Sequence, residues 1–164
     1  MTLKLTEKER LLLEDQKKHE QVCVNKYQAY ANQAQDPALK QLFNSYSQQE
    51  QQHLNSVTQM LNGQIPSTSS QQSQQSAQNQ QTLQNNMQNS ASSASQGTSS
   101  QNDKALCTDM LMTEKFVSGA YDTTIFEFAD TNARQVLNHI QKEEQEHGQG
   151  IFQYMQSNGM YNVQ

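Results

Sequence analysis

The apolar residues of this chain recur every three to four positions in four separate stretches, which is the spacing of one face of an α-helix. The stretches predict four long helices, at about residues 7–34, 37–61, 104–129 and 131–158. Capping signals stand at the start of each helix: the Thr6–Glu9 capping box, Asp36 before Pro37, Asp103 and Asp130. The pattern therefore predicts an all-α protein.

A polar tract separates the second and third helices. Residues 62–103 contain only Ile65 and Leu83 from the set of Leu, Ile, Val and Phe, and Asp103 is their single charge. Such a segment cannot bury enough apolar area to offset its conformational entropy, so we predict that it is disordered. The chain would then consist of a first helical hairpin at 1–61, a disordered linker at 62–103 and a second hairpin at 104–164. Together the hairpins would form one domain.

Residues that are normally charged interrupt each apolar stripe. Glu20 and Glu114 lie on the stripes of the first and third helices. Two Glu-x-x-His motifs, Glu50–His53 and Glu144–His147, lie on those of the second and fourth helices. Residues i and i+3 share one face of a helix, so each motif can direct a carboxylate and an imidazole at the same point. Four carboxylates in a core would repel one another without a cation.

The two motifs belong to an internal duplication. A shift of 94 positions superimposes the first motif on the second and also places Glu20 on Glu114. Each of these two Glu residues precedes the motif of its half by 30 residues, which is the distance down one long helix and back up the next. Four Glu and two His are the ligand set of ferritin-like di-iron and di-manganese bundles. We therefore expect a ferritin-like four-helix bundle of two pseudo-symmetric hairpins, with the polar tract as its long crossover.

This ligand set predicts a site for two Fe or Mn ions, and no organic cofactor is expected. The predicted metal ligands are the bridging pair Glu50 and Glu144, the imidazoles of His53 and His147, and the terminal pair Glu20 and Glu114. The alternative is a network of buried carboxylates and imidazoles that holds no metal.

Tyrosines and glycines lie beside the predicted ligands. Tyr27 and Tyr121 could donate hydrogen bonds to metal-bound carboxylates, or they could be core residues with satisfied hydroxyl groups. Gly148 and Gly150 are unfavourable in a helix interior, so they admit either a close neighbour or a helical irregularity. His19 and His139 lie off the ligand stripe, and we expect both at the surface.

Charge and composition exclude several partners. The net charge of −5 and the absence of Lys/Arg clusters argue against binding to nucleic acid. No apolar run approaches the length of a membrane span, and the first residues lack the apolar core of a signal peptide, so synthesis in the cytosol is expected. Cys23 and Cys107 do not correspond in the duplication, and we expect both to remain thiols.

The second half of the chain resembles the coat F domain of spore coat proteins from endospore-forming bacteria. The residues that carry the resemblance are Leu106–Lys115, Tyr121, Arg134, Glu144–His147 and Gly159–Tyr161. The whole chain looks like a ferritin-like bundle of the rubrerythrin and manganese catalase kind. The resemblance implies a spore coat protein that is made in the mother-cell cytoplasm and then joins the spore coat. Its implied partners are other coat proteins and copies of itself.

Two classes of function follow from these observations. In the first, the protein is a structural component of the spore coat with a di-metal carboxylate site. In the second, it is a di-iron or di-manganese oxidoreductase that reduces peroxide, as a catalase does, or oxidises ferrous ion. The family resemblance favours the structural class, and no catalytic residue is assigned.

Overall fold

The computed structural model describes residues 2–67 and 99–162. They form four helices, which are α1 (Glu7–Gln33), α2 (Pro37–Leu61), α3 (Ser99–Glu127) and α4 (Thr131–Ser157). No strand occurs in this part of the chain, so the all-α prediction is confirmed for it. Within the same residues, no helix combines the length and the apolarity needed to cross a bilayer.

Three of the four predicted N-terminal caps are present. Thr6 and Glu9 form the reciprocal capping box, in which the Thr6 backbone N–H donates to Glu9 Oε2 over 2.7 Å. Asp36 caps α2 by accepting from Ala38 N over 2.9 Å, and Asp130 caps α4 in the same way. These local hydrogen bonds satisfy N–H groups that the helices leave without partners, which is why the sequence signals identified them.

The prediction for Asp103 is wrong. Helix α3 begins at Ser99, so Asp103 is a buried residue within the helix. Its two carboxylate oxygens accept hydrogen bonds of 2.9 Å from Gln35 N and Asp36 N, in the turn between α1 and α2. These backbone N–H groups lie outside both helices and have no helical partner, and Asp103 supplies partners for them from the other hairpin. Glu9, its counterpart in the duplication, likewise accepts from Ala129 N over 3.0 Å.

The polar tract is ordered at both of its ends. Gly63 adopts a left-handed φ of 79°, and its carbonyl oxygen accepts from Leu3 N over 2.8 Å. Ile65 packs against the core, and residues 99–103 are helical. Residues 62–67 and 99–103 therefore have defined positions in the structure. The rest of the predicted linker, residues 68–98, lies outside the described part of the chain, so its disorder stays a prediction.

The helices pair in a defined sense. Short turns make α2 antiparallel to α1 and α4 antiparallel to α3. Hydrogen bonds from Tyr30 to Asp109 and from Gln16 to Thr124 show that α1 and α3 are also antiparallel. It follows that α2 and α3 run parallel. The end of α2 and the start of α3 therefore lie at opposite ends of the bundle.

The apolar core consists of two clusters, one toward each end of the bundle. One contains Leu13, Cys23, Val57 and Leu137, and the other contains Phe43, Cys107 and Ile151, among others. On α2, α3 and α4 the predicted metal ligands lie between these clusters, at mid-height. Both cysteines are buried free thiols, as predicted, and burial raises the pKa of Cys107 to about 12.

Candidate metal centre

All six predicted ligands converge at the centre of the bundle, where none is more than 2% exposed. Their potential donor atoms form two groups, and within each group these atoms all lie within 4.8 Å of one another. The first group is Glu20, Glu50, His53 and Glu144, and the second is Glu50, Glu114, Glu144 and His147. Glu50 and Glu144 belong to both groups. Each group thus has three carboxylates and one imidazole, arranged around two shared residues.

The helical spacing of the two Glu-x-x-His motifs directs both imidazoles inward. His53 Nδ1 lies 3.4 Å from Glu50 Oε2 of its own motif and 2.9 Å from Glu144 Oε1 of the other motif. His147 Nδ1 lies 3.0 Å from Glu50 Oε1 and 3.8 Å from Glu144 Oε2. Each histidine therefore presents Nδ1 to the carboxylates that both groups share.

Hydrogen bonds leave each carboxylate half satisfied. Among the described residues, no hydrogen-bond partner reaches the buried Oε2 atoms of Glu20, Glu50, Glu114 and Glu144. A buried polar atom without a partner is costly, and a carboxylate oxygen is especially so. Four such oxygens and two imidazole nitrogens in one small volume are a donor set that suits Fe or Mn. The residues present therefore fit the predicted pair of ions.

The two predicted tyrosines contact the terminal carboxylates of the opposite hairpin. The Tyr27 hydroxyl donates to Glu114 Oε1, and the Tyr121 hydroxyl donates to Glu20 Oε1. Burial, reinforced by the nearby carboxylates, raises the pKa of both phenols well above the usual value. Both therefore remain neutral donors. Their predicted role beside a metal-bound carboxylate is compatible with these contacts.

Two further residues contact the outer nitrogens of the histidines, and the sequence analysis missed both. His53 Nε2 lies 2.8 Å from Glu143 Oε2, and His147 Nε2 faces Gln49 Oε1. Glu143 and Gln49 each directly precede a Glu-x-x-His motif, and they are 94 positions apart. Their corresponding positions in the duplication are the feature of the sequence that could have identified them.

Without a cation, protons occupy the centre. Burial raises the pKa of Glu20 to about 8, and it raises that of Glu144 well above its usual value. Burial opposes the charged form of His147, but hydrogen bonds to Glu114 and Glu50 raise its pKa to about 9. The pKa of His53 is also raised, because four carboxylates outweigh the effect of burial. A metal ion must displace these protons.

The second of the two glycines permits a close aromatic contact. The centroids of the Tyr46 and His147 rings are 4.3 Å apart. The Tyr46 hydroxyl lies against the backbone at Gly150. A Cβ atom on Gly150 would overlap this hydroxyl, whereas a Cβ on Gly148 would meet only Leu111 at 3.8 Å and Glu114 at 3.9 Å. Helix α4 is continuous through both glycines. Of the two interpretations, the close neighbour is therefore correct for Gly150.

His19 and His139 are half-buried, so the expectation that they lie at the surface is met only in part. The His19 ring packs edge-on against Phe116, with 5.4 Å between ring centroids. His139 Nε2 lies 3.5 Å from Glu143 Oε2. The position of both histidines off the ligand stripe did not indicate these contacts with Phe116 and Glu143.

The fold and the cluster define a four-helix bundle with a buried carboxylate and imidazole centre. Residues 102–164 match the family model of the coat F domain. This confirms the resemblance predicted for the second half of the chain. The match includes Glu114, Glu144 and His147 but no residue of the first hairpin. No curated protein and no solved structure matches the chain.

The two glycines give a matched pair of substitutions. Gly150→Ala should reduce the free energy of unfolding by about 1–3 kcal/mol, because the new methyl group would displace the buried Tyr46 ring. Gly148→Ala should increase it by up to about 1 kcal/mol, since alanine favours the helix and has room there. Urea unfolding of chelator-treated proteins measures both changes. Equal changes in the two variants would contradict the contact between Tyr46 and Gly150.

Metal binding should release protons and should strengthen as pH rises. At pH 7 the raised pKa values leave both His147 and Glu20 protonated in the metal-free protein, and each must lose its proton to bind a cation. The apparent affinity for Mn(II) should therefore increase between about pH 6 and pH 8. Calorimetric titration in two buffers with different heats of ionisation counts the released protons. Constant affinity across this pH range would contradict the assignment.

Proposed function

We propose that this protein is a component of the bacterial spore coat and that its bundle holds two Fe or Mn ions. The observation that carries the metal proposal is the set of four buried carboxylates, each with one oxygen that lacks a hydrogen-bond partner among the described residues. Two cations would neutralise these oxygens, which the surrounding hydrogen bonds do not satisfy. The match of residues 102–164 to the coat F domain supports the coat assignment.

The arrangement suggests a role for each side chain. Glu50 and Glu144 would contact both ions, since they belong to both groups. Glu20 and His53 would complete one position, and Glu114 and His147 would complete the other. Tyr27 and Tyr121 would orient the terminal carboxylates through their hydroxyl groups. Bound Fe or Mn would supply redox chemistry that these side chains lack.

The topology supports a ferritin-like bundle. Helices α2 and α3 run parallel, so a long crossover between the hairpins is required, as in ferritin-like folds. Because all four helices supply ligands, the bound ions would also link the two hairpins. In this proposal the metal centre stabilises a coat building block. The protein would be made in the mother-cell cytoplasm and would then join the coat, with other coat proteins and its own copies as partners.

The alternative is a di-iron or di-manganese oxidoreductase that reduces peroxide or oxidises ferrous ion. It would use the same six ligands, so ligand geometry does not distinguish the two classes. The match of residues 102–164 to the coat F domain favours the structural class. Peroxide consumption or oxygen uptake by the metal-loaded protein, lost in Glu50→Ala and in Glu144→Ala, would favour the enzyme instead.

Elemental analysis of protein purified without chelator tests the metal site. We expect up to two Fe or Mn ions per chain, one for each group of ligands. The double variant His53→Ala/His147→Ala should lose most of this metal, because it removes the only nitrogen ligands of the two groups. His19→Ala is the control, since it removes a histidine of the same bundle that lies outside both groups. Metal-free wild-type protein whose unfolding free energy is unchanged by chelation or by added metal would contradict the proposal.

A further inference from the structure

The two outer hydrogen-bond partners of the histidines differ in charge. Glu143 on α4 contacts the outer nitrogen of His53, whereas Gln49 on α2 contacts that of His147. These residues occupy the same place in the duplication, so they have the same position toward the centre. One is a carboxylate and the other is a neutral amide.

Other neighbours of the two histidines differ in the same places. Tyr46 packs on His147, and the residue that corresponds to it in the duplication is Ile140, which has no aromatic ring. His139 lies 3.5 Å from Glu143, and the residue that corresponds to it is Ser45. The ligands themselves are duplicated without change. The two halves of the centre therefore differ in these neighbouring residues and not in the ligands themselves.

A hydrogen-bond acceptor behind a metal-bound histidine changes how strongly the histidine binds. A carboxylate that accepts the outer N–H holds the ring in place, makes the inner nitrogen more basic and adds negative charge near the cation. An amide oxygen also orients the ring, but it carries no net charge. Loss of such a partner typically weakens metal binding by about 10- to 100-fold.

We propose that Glu143 and Gln49 make the two metal positions unequal, so that the position containing His53 binds a divalent cation more tightly than the position containing His147. This inference rests on the proposed metal site. Glu143 and Gln49 are positioning residues here, since they act through the histidines. The chain would then fill its centre in order, first beside His53 and then beside His147.

Titration of the chelator-treated full-length protein with Mn(II) tests this order, with free Mn(II) followed by its electron paramagnetic resonance signal. Wild-type protein should show two unequal dissociation constants. Glu143→Gln should weaken the tighter one by about 10-fold, because it removes the charge but keeps an acceptor, and Gln49→Glu should strengthen the weaker one. A gain of affinity in Gln49→Glu cannot result from poor folding. Glu146→Gln is the matched control, because it removes an exposed charge from the same helix.

Backgrounds with a single histidine assign each effect to a position. In His147→Ala protein, Glu143→Gln should weaken the remaining Mn(II) site, and Gln49→Glu should leave it unchanged. In His53→Ala protein the pattern should be the reverse, with only Gln49→Glu changing the affinity. Equal constants in wild-type protein, or constants that neither substitution changes, would overturn the inference and leave the metal site standing. Absence of any bound Mn(II) would refute both this inference and the metal site.

Discussion

Four carboxylates are buried together in the apolar core of the bundle. Each helix contributes one of them, so the bundle cannot close without bringing them together. Burial, reinforced by repulsion from the other three carboxylates, raises the pKa of Glu144, and protons and imidazoles only partly offset this cost. One oxygen of each carboxylate still has no hydrogen-bond partner among the described residues. Cations at these oxygens would convert the most unfavourable feature of the core into a link between all four helices.

Most of the stabilising contacts to this centre cross between the two halves of the duplication. Tyr27 of the first half donates to Glu114 of the second, and Tyr121 of the second donates to Glu20 of the first. The turn between α1 and α2 is likewise completed by Asp103 of α3. Each of these buried polar groups finds its partner in the opposite hairpin. The two hairpins therefore depend on each other for these contacts.

Local patterns were sufficient to predict the helices and the convergence of the six ligands. These patterns each span a few residues: the apolar periodicity, the caps at Asp36 and Asp130, and the repeated Glu-x-x-His motifs. The duplication extends them to the whole bundle. Local spacing did not predict the roles of Asp103 and Glu143 or the contact at Gly150, although the duplication does pair Glu143 with Gln49. Each depends on a residue about 70 to 100 positions away, and no spacing within one helix identifies that residue.

Anomalous diffraction from crystals grown with Mn(II), measured at the manganese absorption edge, would locate any cations held by the buried carboxylates and imidazoles. Two peaks are expected inside the bundle, both in contact with Glu50 and Glu144, one beside His53 and the other beside His147. Peaks confined to the protein surface, with the six side chains still hydrogen-bonded to one another, would rule out the proposed pair of cations.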